Sequence, residues 1–301
     1  MATQVIREAA GSPVKETLAL VYSVFKVRIG MAIMLTALAG VAVTPGAGPG
    51  AGQIAILALA VLLSSASAGA FNMYVERGLD ARMQRTRNRP FVTGRFRANG
   101  YWLTGIILLL ALSVTAATLA TNALAALFVF LGAFFYGVVY TVWLKRRTWM
   151  NIVIGGLAGS FAVLAGAAAV DPGLAPAPVI LAVVLFLWTP PHFWSLAFKY
   201  REDYAAAGVP MLPVVVSATT AARIILVHTV LLVGLSLVPV LFGLGWIYLL
   251  GAAAGGGWFL WTSIQLMRNP GPAAAMTNFH ASLLQLSLLL AATMLDAWLI
   301  R

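Results

Sequence analysis

The sequence predicts an all-α, polytopic membrane protein with nine transmembrane helices, and three observations carry that expectation. The 301 residues are 61% hydrophobic and only 9% charged, with a mean hydropathy of +0.94, a balance that water-soluble domains do not show. The apolar residues come in runs of the roughly 20 residues that a helix needs to cross a hydrocarbon core about 30 Å thick. The basic residues collect between alternate runs. The runs are too long, and alternate too little, for membrane-spanning strands.

Taken in order, residues 1–17 form a short polar arm bearing Arg7, Glu8, Lys15 and Glu16, and residues 18–301 form one integral-membrane domain. The arm lacks a compact apolar stretch with a cleavage site, so no removable signal peptide is expected. The first span, 20–43, contains Lys26 and Arg28 and leads into a Gly/Ala/Pro loop at 44–52. The second, 53–72, opens into a long loop in which seven arginines lie between Arg77 and Arg97. Spans 101–120 and 123–143 precede Lys145, Arg146 and Arg147, and spans 151–170 and 177–198 precede Lys199 and Arg201. Spans 222–242, 244–264 and 279–299 complete the count. Pro190 and Pro191 should kink the sixth span and free backbone carbonyls. Gly155-x3-Gly159 and Gly251-x3-Gly255 fit close helix packing.

The segments after the first, third, fifth and seventh spans hold no Lys or Arg. That asymmetry follows the positive-inside rule, so the N-terminus is expected in the cytoplasm and the C-terminus outside. Glu76, Asp80, Glu202 and Asp203 share the basic side, whereas Asp171 and Asp296 lie on the other. A reaction chamber would therefore open to the cytoplasm. The net charge of +11 is explained by this arrangement without a nucleic-acid partner. Cysteine is absent, which rules out disulfides, thiolate metal sites and cysteine nucleophiles.

Asn72, Glu76 and Asp80 are spaced i, i+4, i+8, so a helix stacks three oxygen-bearing side chains on one face. Hard oxygen ligands suit Mg²⁺, which keeps positions open for phosphate oxygens and water. Helix-end carboxylates beside arginines can equally form ordinary ion pairs, but Asn72 sits a turn deeper, where an amide needs a partner. Arg85 and Arg89 are one helical turn apart if the helix runs on to Pro90, and their forks suit phosphate. A second constellation follows the sixth span. It comprises Trp188, Pro190, Pro191, His192 and Trp194, then Lys199 and Asp203. His192, like His228 and His280, is either a ligand to a bound group or a hydrogen-bonded packing residue. Trp188 and Trp194 either line a pocket or pack helices. Asn151 either touches a phosphate or caps its helix.

In order along residues 70–215 stand Asn72-x3-Glu76-x3-Asp80, Met83-x-Arg85-Thr86-x2-Arg89-Pro90, Tyr140-Thr-x-Trp143-Leu-Lys145-Arg146-Arg147-Thr148, Asn151-Ile-Val-Ile-Gly155-Gly156, Trp188-x2-Pro191-His192, and Asp203-Tyr204-x3-Gly208-x-Pro210-Met211-Leu212-Pro213. On these motifs the chain resembles the UbiA superfamily of intramembrane prenyltransferases, and within it the protoheme IX farnesyltransferase branch. Two positions depart from that pattern: Glu76 stands where the family usually has Asp, and Gly78 where the heme branch commonly has another Asp. Lys199-x3-Asp203 replaces the paired acids of many other members, which favours the heme branch over quinone-type enzymes.

The resemblance implies a UbiA-type helical bundle in the cell inner (plasma) membrane. It implies transfer of a farnesyl group from farnesyl diphosphate to a vinyl group of heme b, giving heme O for heme-copper oxidases. Mg²⁺ would be held by Asn72, Glu76, Asp80 and Asp203, with Glu76, Asp80 and Asp203 serving catalysis. Arg85, Arg89, Lys145, Arg146 and Lys199 would contact diphosphate. His192, Trp188 and Trp194 would contact heme b. Partners of the heme A synthase or oxidase-assembly type are implied, beside the lipid bilayer. A transporter is the rival from another class, but its acids should lie at mid-membrane and not beside basic loops.

Overall fold

The computed structural model describes residues 13–300. Arg7 and the first part of the expected arm lie outside the described residues. Helix α1 (Pro13–Val24) begins inside that arm, so residues 13–17 are helical. Helix α2 (Val27–Val43) follows after a break, and the pair makes one span bent by 49°. Then come α3 (Ala51–Asp80) and α4 (Gly100–Ala120). Helix α5 (Ala123–Phe134) widens into a π-helical stretch, Phe135–Leu144. A short α6 (Asn151–Gly155) joins α7 (Leu157–Val170), and α8 (Pro176–Lys199) runs through both internal prolines. Two short turns of helix, α9 (Arg201–Ala206) and α10 (Leu212–Val215), precede α11 (Ala218–Leu237), which ends in a 3-10 segment, Val238–Phe242. Helices α12 (Trp246–Arg268) and α13 (Pro272–Leu299) complete the bundle.

Among the described residues eight spans are long and apolar enough to cross a membrane, and counting the bent α1–α2 pair as one span gives nine. The all-α expectation and the span count agree with this architecture. The distribution of side chains fits a lipid solvent. Leu108, Leu112, Leu119, Leu231 and Trp258 project from outer helix faces, while Ser64, Ser67, Asn72, Thr229, Ser263 and Asn278 are buried. Packing of α2 on α13 brings the first span against the last.

Small residues set the closest crossings. A Cβ at Gly40 would collide with the backbone of Val163, and one at Gly166 with the backbone of Ala37. The α2–α7 crossing is therefore backbone on backbone, which neither expected glycine motif covered. Gly251 and Gly255 do make the close α12–α13 approach, against Ala292 and Gln285. Of the other pair, Gly155 abuts Tyr140, but a Cβ at Gly159 would meet nothing within 4 Å. Gly159 thus leaves the packing role to its neighbour.

Candidate active site

The second span does not stop near residue 72. It continues as α3 to Asp80, and its last two turns carry the three expected oxygen-bearing side chains on one buried face. Asn72, Glu76 and Asp80 are each 2% exposed. Burying a carboxylate without compensation is costly, and each rung of this ladder has its own cation. The Lys145 Nζ donates to both Glu76 carboxylate oxygens at 2.6 Å. The Arg89 guanidinium donates to both Asp80 oxygens at 2.8 and 2.7 Å. The Lys26 Nζ donates to Asn72 Oδ1 at 2.6 Å.

Different parts of the chain aim these cations. Helix α3 ends at Asp80, so the conditional expectation that Arg85 and Arg89 share a helical face fails. Residues beyond it fold as successive turns, with Thr86 N bonded to Met83 O and Arg89 N to Thr86 O. Those turns, and not a helix, swing Arg89 back onto Asp80. Thr86 Oγ1 also donates to the Asp80 carbonyl at 3.1 Å. Lys145 is placed by the π-helical stretch, whose wider turn is a frequent feature of functional sites. Its N–H reaches back to Tyr140 O, and Thr141 Oγ1 donates to Tyr136 O. This five-residue register groups Tyr136, Tyr140, Thr141 and Lys145 beside the ladder. Tyr136 and Tyr140 stack at 5.7 Å, and Asn72 Nδ2 donates to Thr141 Oγ1 at 2.9 Å. Burial pulls the Lys145 pKa below the ordinary lysine value, and the touching Glu76 carboxylate pulls it back up.

Asn151 does not cap its helix. Met150 holds that position without a side-chain cap. Asn151 Nδ2 instead donates to the Lys145 carbonyl at 3.2 Å, so it steadies the lysine. Its Oδ1 is buried with no hydrogen-bond donor.

The second acidic wall meets the first through Arg85. The backbone N–H of Arg85 donates to Asp203 Oδ2 and its guanidinium to the Tyr204 hydroxyl, both at 3.4 Å. The guanidinium also lies 5.7 Å from the Tyr200 ring centre. Arg146 and Lys199 are exposed, and neither is brought into contact with the ladder. Among the described residues no three Asp, Glu or His side chains converge on a point that a metal ion could fill. The donor chemistry nonetheless suits a hard cation, because both buried carboxylates already present paired oxygens to a positive charge.

The aromatic constellation on α8 separates into two. The His192 ring stacks on Trp188 at 4.1 Å and on Phe279 of α13 at 4.6 Å. Two rings cannot share one face at those distances, so the imidazole is sandwiched. His192 Nδ1 is 2.7 Å from Ser282 Oγ, and Trp188 Nε1 donates to Ser282 O at 3.0 Å. Trp188, His192 and Phe279 are each half-buried. Trp194 does not join them. It is fully buried and packs in a core with Leu79, Met83, Tyr140, Tyr204 and Met211. Its indole faces His228 edge-on at 5.2 Å, leaving no open face for a ligand. His228 bonds Ile224 O in its own helix, as a packing histidine does, and His280 is exposed.

Sequence reasoning missed four of these residues. Lys26 read as an orienting charge, Tyr136 as one more apolar-helix aromatic, and Ser282 and Phe279 as part of the ninth span. The only available signal was a basic residue inside an apolar run.

The arrangement can bind an anion and supply oxygen ligands to a metal, with His192 held in a stack of aromatic rings. The model of the UbiA prenyltransferase family matches residues 33–289. Protoheme IX farnesyltransferase 2 from Paramagnetospirillum magneticum is 61% identical over 274 residues, covering 91% of this chain and 95% of that protein. A structure from work on digeranylgeranylglyceryl phosphate synthase in membranes has a TM-score of 0.77 at 19% identity, covering 94% of this chain and 99% of that one. A UbiA homolog from Archaeoglobus fulgidus bound to GPP and Mg²⁺ has a TM-score of 0.67 at 17% identity, covering 91% and 99%. At those identities the two structures speak for the fold, while the family model and the close relative carry the assignment: this chain is an integral membrane protein that belongs to the UbiA prenyltransferase family.

Proposed function

We propose that this enzyme transfers the farnesyl group of farnesyl diphosphate to a vinyl group of heme b, producing heme O. The observation that carries this reading is the ladder of Asn72, Glu76 and Asp80, each held by a separate cation, in a chain 61% identical to a protoheme IX farnesyltransferase. Asn72, Glu76, Asp80 and Asp203 would hold Mg²⁺, the metal bound with GPP in the Archaeoglobus fulgidus homolog. When bound, the metal would neutralise charge on the departing diphosphate.

The chain's own residues do the rest. The allylic C–O bond breaks and its electrons leave with the diphosphate. Arg85, Arg89 and Lys145 stabilise that growing charge, as prepositioned donors do, with Arg146 and Lys199 at the exposed rim. The apolar helix faces hold the farnesyl tail and keep water from the allylic cation. The heme vinyl group attacks that cation. Water then adds to the new carbocation and loses a proton to solvent, leaving a hydroxyl group and free diphosphate. No protein nucleophile is needed. His192, with Nδ1 occupied by Ser282, offers Nε2 to heme iron, and Trp188 lines the porphyrin site with it. Trp194 supports that wall from the core.

The basic segments around the ladder argue for a cytoplasmic site, a cytoplasmic N-terminus and an external C-terminus in the inner membrane. Because the chain has no cysteine, single cysteines introduced at residues 50 and 95 give a clean labelling test of that orientation. Heme A synthase or oxidase-assembly proteins would receive the product.

Membranes containing the protein, incubated with heme b, farnesyl diphosphate and Mg²⁺, should yield a hydroxyethylfarnesyl heme resolvable by mass. No such product from the unmodified protein overturns the reading. A heme difference spectrum should change on His192→Ala, and an unchanged spectrum removes His192 from the iron.

A further inference from the structure

The ladder has three rungs and three cations, but only two of its rungs are carboxylates. Lys145 faces Glu76 and Arg89 faces Asp80, whereas Lys26 faces the neutral amide of Asn72 and the phenol of Tyr136 at 2.9 Å. An ammonium has three N–H donors, and these two contacts use two of them without cancelling its charge. A cation withdrawn from water is costly unless a counter-charge meets it. The chemistry missing at this rung is an anion.

Three independent features deliver Lys26 to this place. It sits in the break between α1 and α2 with φ 47° and ψ 43°, one of only two non-glycine residues with positive φ among the described residues. Residues that carry a side chain seldom adopt this left-handed conformation, and such outliers concentrate at functional sites. The accompanying 49° bend turns the side chain inward. Gly69 on α3 then makes room for it: a Cβ there would lie 3.3 Å from Lys26 Cβ and Cδ and 3.4 Å from Cγ. Gly69 stands three residues before Asn72, on the same helix face. The lysine stem therefore runs along α3 to the top of the ladder, and its Nζ ends 5.4 Å from the Tyr136 ring centre. A charge that only oriented the first span would need none of this.

We propose that Lys26 is a binding residue for the diphosphate of the substrate, presented by the helix break and the Gly69 groove as the one ladder cation that, among the described residues, touches no carboxylate. The proposal rests on the reading of the ladder as a prenyl diphosphate site. It adds a residue from the first span, before the segment that the family model matches. With successive rungs roughly 6 Å apart along α3, Lys26 and Lys145 approach a bound anion from neighbouring rungs.

The test uses the full-length protein purified in detergent, with inorganic pyrophosphate and Mg²⁺ as the calorimetric probe. Lys26→Gln keeps a hydrogen-bond donor on a stem one bond shorter and removes the charge, and it should weaken pyrophosphate binding at least tenfold. Lys26→Arg should stay within about threefold of the parent, since roughly 0.6 kcal/mol is a factor of three. Gly69→Ala, which crowds the stem, should fall between them. All three should retain the parent's thermal unfolding midpoint. Parent-like affinity in Lys26→Gln overturns the proposal. So does equal weakening in the Gln and Arg variants, or a lowered midpoint in Lys26→Gln that Lys26→Arg shares, since either marks a packing role. The farnesyl transfer assay on the parent answers separately for the heme reading: pyrophosphate binding that depends on the Lys26 charge would stand even if no farnesyl heme formed.

Discussion

The two ends of the bundle bury carboxylates in opposite ways. At the ladder end Glu76 and Asp80 meet the ammonium of Lys145 and the guanidinium of Arg89. At the other end Asp296, only 1% exposed, meets no cation among the described residues. It accepts hydrogen bonds from the backbone N–H groups of Gly245 at 2.7 Å and Tyr248 at 3.1 Å. Those groups open α12, where the first turn of a helix leaves donors unpaired and its dipole favours a negative charge. Asp296 is thus a cap supplied by a neighbouring helix. The pocket at that end, about 680 Å³, is lined by residues such as Val41, Val170, Phe242 and Met294, and none of its described lining residues is ionisable. Burial alone does not mark a catalytic acid. Backbone donors are fixed by the helix that carries them, whereas long cationic side chains can exchange a carboxylate for a substrate's phosphate.

The largest effect expected from this contrast is on chemistry. Asp80→Asn should lower the initial rate of farnesyl heme formation by at least about 100-fold, the scale of losing one prepositioned electrostatic group. A full rate in this variant would make the Asp80–Arg89 pair as structural as Asp296. Next is Lys145→Met, which strands the Glu76 carboxylate. Unfolding titrations should show a loss of about 3–5 kcal/mol, and adding Glu76→Gln should restore much of it, a coupling of roughly 0.5–3 kcal/mol. Strictly additive effects would break the claim that Lys145 compensates the buried Glu76 carboxylate. Asp296→Ala should cost about 1–3 kcal/mol of stability by orphaning buried donors while leaving pyrophosphate affinity unchanged. Weaker pyrophosphate binding there would dissolve the distinction between the two ends. Smallest of all should be Gly159→Ala, within about 0.5 kcal/mol. Gly166→Ala should cost at least about 1–3 kcal/mol, because its Cβ would press on the Ala37 backbone.

Much of the frame was legible in the residues. Apolar runs of membrane length and the alternation of basic loops gave the spans, because each depends on composition within about 20 residues. The i, i+4, i+8 spacing placed Asn72, Glu76 and Asp80 on one face without any tertiary knowledge. The helix carrying them proved eight residues longer than its apolar run, since polar residues continue a helix when other elements bury them. The turn-rich path from Ala81 to Arg89 and the π-helical register before Lys145 were not legible. Both are backbone choices stabilised by contacts with distant segments. Which of its two expected roles Trp194 takes was not legible for a related reason: its neighbours on α8 are the aromatic pair, but its own face turns into the core, where it packs.

By itself, the sequence determined a helical membrane protein, its spans, its charged side and the oxygen-bearing face of α3, because hydrophobic length and helical period are local properties. The tertiary structure alone decided which cation meets which rung. Lys26 reaches Asn72 across 46 residues and Lys145 reaches Glu76 across 69, while Arg85 reaches Asp203 across 118. Nothing local ranks one basic residue above another for such pairings. They follow from where the helices cross, and those crossings depend on glycines at Gly40, Gly69 and Gly166 whose value appears only when a second helix lies against them.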